Sequence, residues 1–160
     1  DPVVDCANGL ALQKQFANVI VTRTFSKAFG LAGLRVGFSV ANPQVADILN
    51  RVREPFNVNS LGQLAATEVL KDKHYLQRSI EVNQQGRIEI QQGLERLGHS
   101  FIPSQGNFIT FDCKQDGQQM YQKLLQEGVI VRPIAGYGLP NHLRVSIGMP
   151  FENLRFFFWC

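Results

Sequence analysis

Two strand-like runs, residues 18–22 and 35–40, bracket a loop punctuated by Gly30 and Gly33, and Asn42-Pro43 follows at once. A chain written this way has little freedom in fold class. Short apolar runs bounded by glycine have the length of buried strands. Asparagine followed by proline supplies an N-cap and a first helical position. Strand, loop, strand and helix in this order belong to an α/β protein. The loop Thr24-Phe-Ser26-Lys27-Ala-Phe-Gly30-Leu-Ala-Gly33-Leu-Arg35 carries two hydroxyls, one lysine and one arginine close together. In open α/β sheets, ligands sit beyond the strand ends, where this loop falls. A lone lysine in a glycine-rich loop is ordinarily a solvated charge. The ordered set of donors around Lys27 is what makes it a candidate.

The rest of the chain continues the alternation. From Pro43 a helix is predicted, with Val45, Ile48, Leu49 and Val52 on one face and Pro55 as its stop. Ser60-x-x-Gln63 has the form of a capping box and opens a helix to about Leu70. A long polar helix is expected from Tyr75 to Leu97, striped by Leu76, Ile80, Ile90, Leu94 and Leu97. Gly86, among glutamines, marks its weakest point. After Gly98 the pattern predicts strands over 100–103, 107–113 and 129–132 around a helix over 118–127. Met120, Tyr121, Leu124 and Leu125 face inward on that helix, and Gly128 stops it.

Composition narrows the partners. The net charge of +3 is scattered, with no basic block, which argues against nucleic acid. Cys6, Cys113 and Cys160 are odd in number and irregular in spacing, as reduced thiols would be, rather than a disulfide frame or a zinc site. His74, His99 and His142 are isolated, and no metal is expected. No apolar run is long enough for a membrane helix and no signal peptide opens the chain, so a cytoplasmic protein is expected.

A second cluster lies in residues 129–148. In His142 to Gly148 the apolar Leu143, Val145 and Ile147 alternate with His142, Arg144 and Ser146. A strand with that period buries one face and shows Arg144 on the other. A guanidinium on a rigid strand suits bidentate binding of carboxylate or phosphate. Read on its own, the segment is more readily a surface strand with its arginines in water.

The lysine loop, the segment Arg53-Glu-Pro-Phe-Asn-Val-Asn-Ser60 and the stretch 129–148 together resemble the fold-type I aminotransferases, and within them the histidinol-phosphate aminotransferase family. The resemblance runs from about Asn18 to Arg155. It implies the C-terminal part of a fold-type I large domain over residues 1–74, then a linking helix and small α/β domain over 75–160. It implies pyridoxal 5′-phosphate as cofactor, with Lys27 as the catalytic lysine holding its aldehyde. Thr24, Ser26 and Arg35 would hold the phosphate, and Arg144, assisted by Arg132, would hold the substrate's anionic group. Implied partners are an amino donor, a 2-oxo acid and a second subunit in a homodimer. An aromatic aminotransferase or a threonine-phosphate decarboxylase shares these features, and a truncated product without activity remains open.

Departures sit at both ends. The upstream half expected of the family is absent, with its ring-stacking aromatic and pyridinium partner. Asp1 stands at about the distance expected of that partner, but Asp1-Pro-Val-Val4 lacks the residues that usually follow. Beyond Phe156, the tail Phe157-Phe158-Trp159-Cys160 leaves the family pattern, as a truncation or reading-frame shift would, and its aromatics are expected to be exposed.

Overall fold

The computed structural model describes residues 8–160. Asp1 and Cys6 lie outside the described residues. The chain divides into two compact units, residues 1–79 and 80–160.

The first unit opens with α1 (Gly9–Gln15), capped by the Asn8 side chain, which accepts from the Leu10 amide. Seven residues are too few for an apolar period to declare itself, so this helix was not expected. β1 (Val21–Thr24) and β2 (Gly37–Val40) pair antiparallel, from Val21↔Val40 to Thr24↔Gly37. Neither is the buried strand expected. Within the pair only Val21 is buried, because a two-stranded ribbon leaves most of its surface uncovered. β2 also starts later than the run at 35–40, since Arg35 takes a left-handed conformation (φ 55°) that interrupts an extended path.

α2 (Pro43–Val52) begins as expected, with the Asn42 side chain accepting from the Gln44 amide at 3.0 Å. Its stripe is not covered, however: Ile48, Leu49 and Val52 all stay exposed. α3 (Ser60–Val69) is capped one residue earlier than the capping box suggested. Asn59 Oδ1 accepts from the Gly62 amide at 2.7 Å, and Gln63 turns to the Val58 carbonyl instead. Asparagine matches serine as a cap, and its spare Nδ2 donates to the Leu34 carbonyl at 3.2 Å. A serine could not make both bonds at that reach.

α4 (Lys73–Arg96) is the long helix expected, and the division between units falls inside it. The second unit continues with β3 (Phe101–Ile102), β4 (Phe108–Asp112), α5 (Gly117–Gln126), β5 (Arg132–Pro133), β6 (His142–Ser146) and α6 (Pro150–Trp159). The four strands form an antiparallel sheet in the order β3-β4-β6-β5. β5 is paired only from Arg132, so the strand expected over 129–132 is mostly an unpaired approach. Ile90 and Leu94 from α4, Ile109 and Phe111 from β4, Leu124 from α5 and Leu143 from β6 are fully buried together.

Three expectations need correction here. Gly86 is not a weak point but a close contact: a β-carbon there would stand 2.7 Å from Ile147 Cγ2 and 3.0 Å from Asn153 Nδ2. Leu125 lies outward on α5 and Leu97 is exposed past the end of α4. The aromatic tail divides, since Phe157 packs against the core and over Gly93 while Phe158 and Trp159 are exposed. Gly128 (φ 75°) does end α5, its amide donating to the Leu125 carbonyl. Cys113 and Cys160 are free thiols, and burial pushes that of Cys160 up to about 11. Among the described residues no helix is long and apolar enough to cross a membrane.

Candidate functional site

The lysine loop closes on itself through its backbone. The Phe25 amide donates to the Val36 carbonyl at 3.1 Å, extending the β1–β2 ladder by one step. The Leu31 amide returns to the Phe25 carbonyl at 2.9 Å, and the Gly30 amide to the Lys27 carbonyl at 2.8 Å. Gly30 makes that turn at φ 71°, and any side chain there would collide with the Tyr75 hydroxyl. Phe25 points inward with Val36 and Ala66, its ring 5.1 Å from that of Phe29 and 5.7 Å from that of Phe38. Gly62 lets α3 approach Val36 closely. This small core anchors the loop from beneath and leaves its polar groups outside.

Those polar groups are joined. Thr24 Oγ1 accepts from the Ser26 amide at 3.1 Å. Arg35 Nη1 lies 3.4 Å from Ser26 Oγ, to which it donates, and donates again to the Ala32 carbonyl at 2.7 Å. The left-handed backbone at Arg35 costs about 1 kcal/mol or more for a residue with a β-carbon. Strain of this kind gathers at sites where geometry matters. Lys27, next to Ser26, is exposed, and among the described residues its amine has no hydrogen bond or ion pair. The loop therefore carries one uncommitted amine together with two hydroxyls and a guanidinium, a set suited to an anion that carries an aldehyde or ketone.

The second unit carries the other candidates. β6 alternates as the sequence implied: Leu143 and Val145 are buried, and Arg144 stands on the opposite face, half-buried. Arg132 on β5 is the direct partner of Arg144, and Thr110 on β4 is its partner on the other side. Cross-strand partners share a face, so the two arginines project from the same side of the sheet. Like charges so placed repel, and among the described residues neither has a hydrogen bond or ion pair of its side chain. Phe108 is the residue that sequence reasoning missed: the Arg144 guanidinium carbon lies 4.6 Å from its ring centroid. In sequence, 107–113 reads only as a strand, and the β4–β6 register that brings Phe108 to Arg144 is a tertiary fact.

The model of the family described as aminotransferase class I and II matches residues 4–157. Histidinol-phosphate aminotransferase 2 of Pseudomonas fluorescens is 55% identical over 152 residues, covering 95% of this chain and 41% of that protein. The histidinol-phosphate aminotransferase of Methylobacillus flagellatus is 55% identical over 142 residues, covering 89% of this chain and 38% of its own length. The chain thus spans about two fifths of the length of the curated relatives it matches. Among solved structures, histidinol-phosphate aminotransferase from Sinorhizobium meliloti in complex with pyridoxal-5′-phosphate superposes with a TM-score of 0.80 at 30% identity, over 89% of this chain and 40% of that one. L-threonine-O-3-phosphate decarboxylase from Porphyromonas gingivalis gives 0.82 at 26% identity, over 92% of this chain and 47% of that one.

Proposed function

Because the chain belongs to the class I and II aminotransferase family, we propose that it carries the cofactor lysine and the substrate-anion arginines of a pyridoxal-phosphate-dependent transaminase. The reaction proposed is the conversion of L-histidinol phosphate and 2-oxoglutarate to imidazole-acetol phosphate and glutamate, in histidine biosynthesis. The fold is the α/β fold of the fold-type I transferases. In this reading residues 1–74 belong to the large cofactor-binding domain, and 75–160 are a linking helix and the small domain. The protein works as a cytoplasmic homodimer.

The donor set fits the cofactor. Ser26 Oγ and the Arg35 guanidinium, 3.4 Å apart, present hydroxyl and fork to one phosphate, while the amine of Lys27 is uncommitted. That juxtaposition is the observation that carries the reading. When bound, pyridoxal phosphate supplies an aldehyde for the substrate amine and an electron sink for the carbon beside it. Ser26 and Thr24 would orient its phosphate by hydrogen bonds, and Arg35 would neutralise it. The amine of Lys27 would hold the cofactor's aldehyde. Its Nζ would then act as general base at the donor's amine-bearing carbon and, as general acid, deliver that proton to the carbon that had carried the cofactor's aldehyde. Arg144, with Arg132 opposite, grips phosphate on the donor and carboxylate on the acceptor, which a planar fork can do for both.

The 55% identity to histidinol-phosphate aminotransferases supports the substrate. A decarboxylase of phosphorylated threonine is the second reading, since one such enzyme shares this fold with a TM-score of 0.82 at 26% identity. Borohydride treatment of the protein carrying this sequence, in the presence of pyridoxal phosphate, is expected to label Lys27 in a peptide map. Lys27→Ala should lose the label and at least about 10³-fold in turnover. Labelling elsewhere, or none, would remove the site. Turnover of histidinol phosphate against phenylalanine and threonine phosphate then separates the substrates.

A further inference from the structure

Phe108 lies one step diagonally from Arg144 on the same face of the sheet, since β4 and β6 pair Phe108↔Ser146 and Thr110↔Arg144. Diagonal neighbours are within reach of aromatic side chains, and a guanidinium carbon 4.6 Å from a ring centroid is inside the range of cation–π attraction. We propose that Phe108 is a positioning residue, fixing the plane of the Arg144 guanidinium so that its donors point at the substrate's anionic group. The proposal rests on the reading above, in which Arg144 binds that group.

The ring holds the cation by occupying one face and none of the donor directions. The N–H donors of a guanidinium lie in its plane, while the ring covers one face. A carboxylate partner would hold Arg144 equally well but would consume the donors and compete with the incoming anion. A ring holds the cation and leaves every donor open. Something must hold it, because Arg132 is the cross-strand partner and repels it. Arg132 itself is exposed and has no ring against it among the described residues, so only one of the two is pre-set.

Phe108 is itself well placed to act as a stop. Asn83 Nδ2 donates to the Gly106 carbonyl at 3.3 Å, and the Gly106 amide donates to Ser104 Oγ at 3.1 Å. The Ile147 amide donates to the Asn107 carbonyl at 2.9 Å, and Ile109 on the other side is fully buried. The backbone is therefore pinned before and after the ring. Pre-set geometry of this kind lowers the ordering cost that the anion would otherwise meet on binding.

The test compares Phe108→Leu and Phe108→Tyr in the protein carrying this sequence, with histidinol phosphate and with L-histidinol, which lacks the phosphate. The leucine variant should lower kcat/KM for the phosphorylated amine about three- to tenfold, mainly through KM, and leave L-histidinol nearly unchanged. Tyrosine keeps the ring and should restore the wild-type value. Equal losses on both amines, or no loss, would overturn the proposal, as would a tyrosine variant that behaves like leucine. A binding arm keeps this separate from the functional reading. Titration with inorganic phosphate, followed by the Arg144 Nε–H resonance, should show binding weakened by a similar factor in Phe108→Leu and kept in Phe108→Tyr. Wild-type protein that transaminates neither amine would defeat the functional reading alone. Phosphate titrations indistinguishable between wild type and leucine variant would defeat the role of Phe108.

Discussion

In the second unit Arg132 and Arg144 stand on strands backed by Ile109, Phe111, Leu143 and Val145, all buried. In the first unit the lysine loop closes over a much smaller cluster, Phe25, Val36 and Ala66, with partly covered neighbours. The arginines are placed by the pleat of a sheet whose rear face is a well-packed core. Ser26, Lys27 and Arg35 are placed by short backbone hydrogen bonds, a left-handed residue and a glycine turn. A site built on packing resists distortion through the volume that would have to open. A site built on local bonds can tolerate strain, as Arg35 does, because few neighbours must adjust to it. In the proposed reading, anion grip and cofactor chemistry would thus be served by two kinds of support.

The sharpest way to break that comparison is to cut one large ring from each core. Phe111→Ala should cost about 3–5 kcal/mol, as expected for truncating a fully buried phenylalanine that also meets the Phe156 ring edge-on. Phe25→Ala should cost less, because the cluster around it is thinner and can collapse into the gap. Denaturant unfolding of both variants decides this, and a larger loss at Phe25 would reverse the contrast. Next in size is Gly86→Ala. Helix propensity alone favours alanine by about 1 kcal/mol. The new methyl would meet Ile147 Cγ2 at 2.7 Å and Asn153 Nδ2 at 3.0 Å, however, and Asn153 is buried between the Gly148 amide and Glu89. A net loss of about 1–3 kcal/mol is expected. Stabilisation by alanine at this position would mean that the packing against α6 is looser than the distances imply.

Much of this was legible in the residues, and the failures have physical causes. The alternation Leu143, Arg144, Val145 correctly separated core from surface because a strand backed by a packed layer has one answer. Asn42-Pro43 fixed a helix start because cap chemistry is local. The runs at 18–22 and 35–40 misled, since apolar content does not say how many layers will cover a strand. Gly86 misled for the opposite reason: propensity sees a missing side chain, while the fold uses the space it leaves. Ser60 lost the capping role to Asn59 because the asparagine also reaches Leu34, a partner 25 residues away. The stacking of Phe108 on Arg144 needed the register of two strands separated by a helix, and no local pattern carries that.

The smallest effect tests the loop's side of the comparison most directly. Arg35→Ala and Arg35→Gly both remove the guanidinium and with it the bonds to Ser26 Oγ and the Ala32 carbonyl. They differ in one respect, since alanine must still accept φ 55° with a β-carbon while glycine does so freely. The glycine variant should therefore be the more stable by up to about 1 kcal/mol, although glycine entropically weakens an ordinary position by a similar amount. Both should lose phosphate affinity to the same extent, measured as pyridoxal phosphate binding. If alanine proved as stable as glycine, the left-handed turn at residue 35 would owe its existence to the arginine's own bonds. The loop would then relax once they were gone, and its shape would be held by the side chain rather than by the backbone around it.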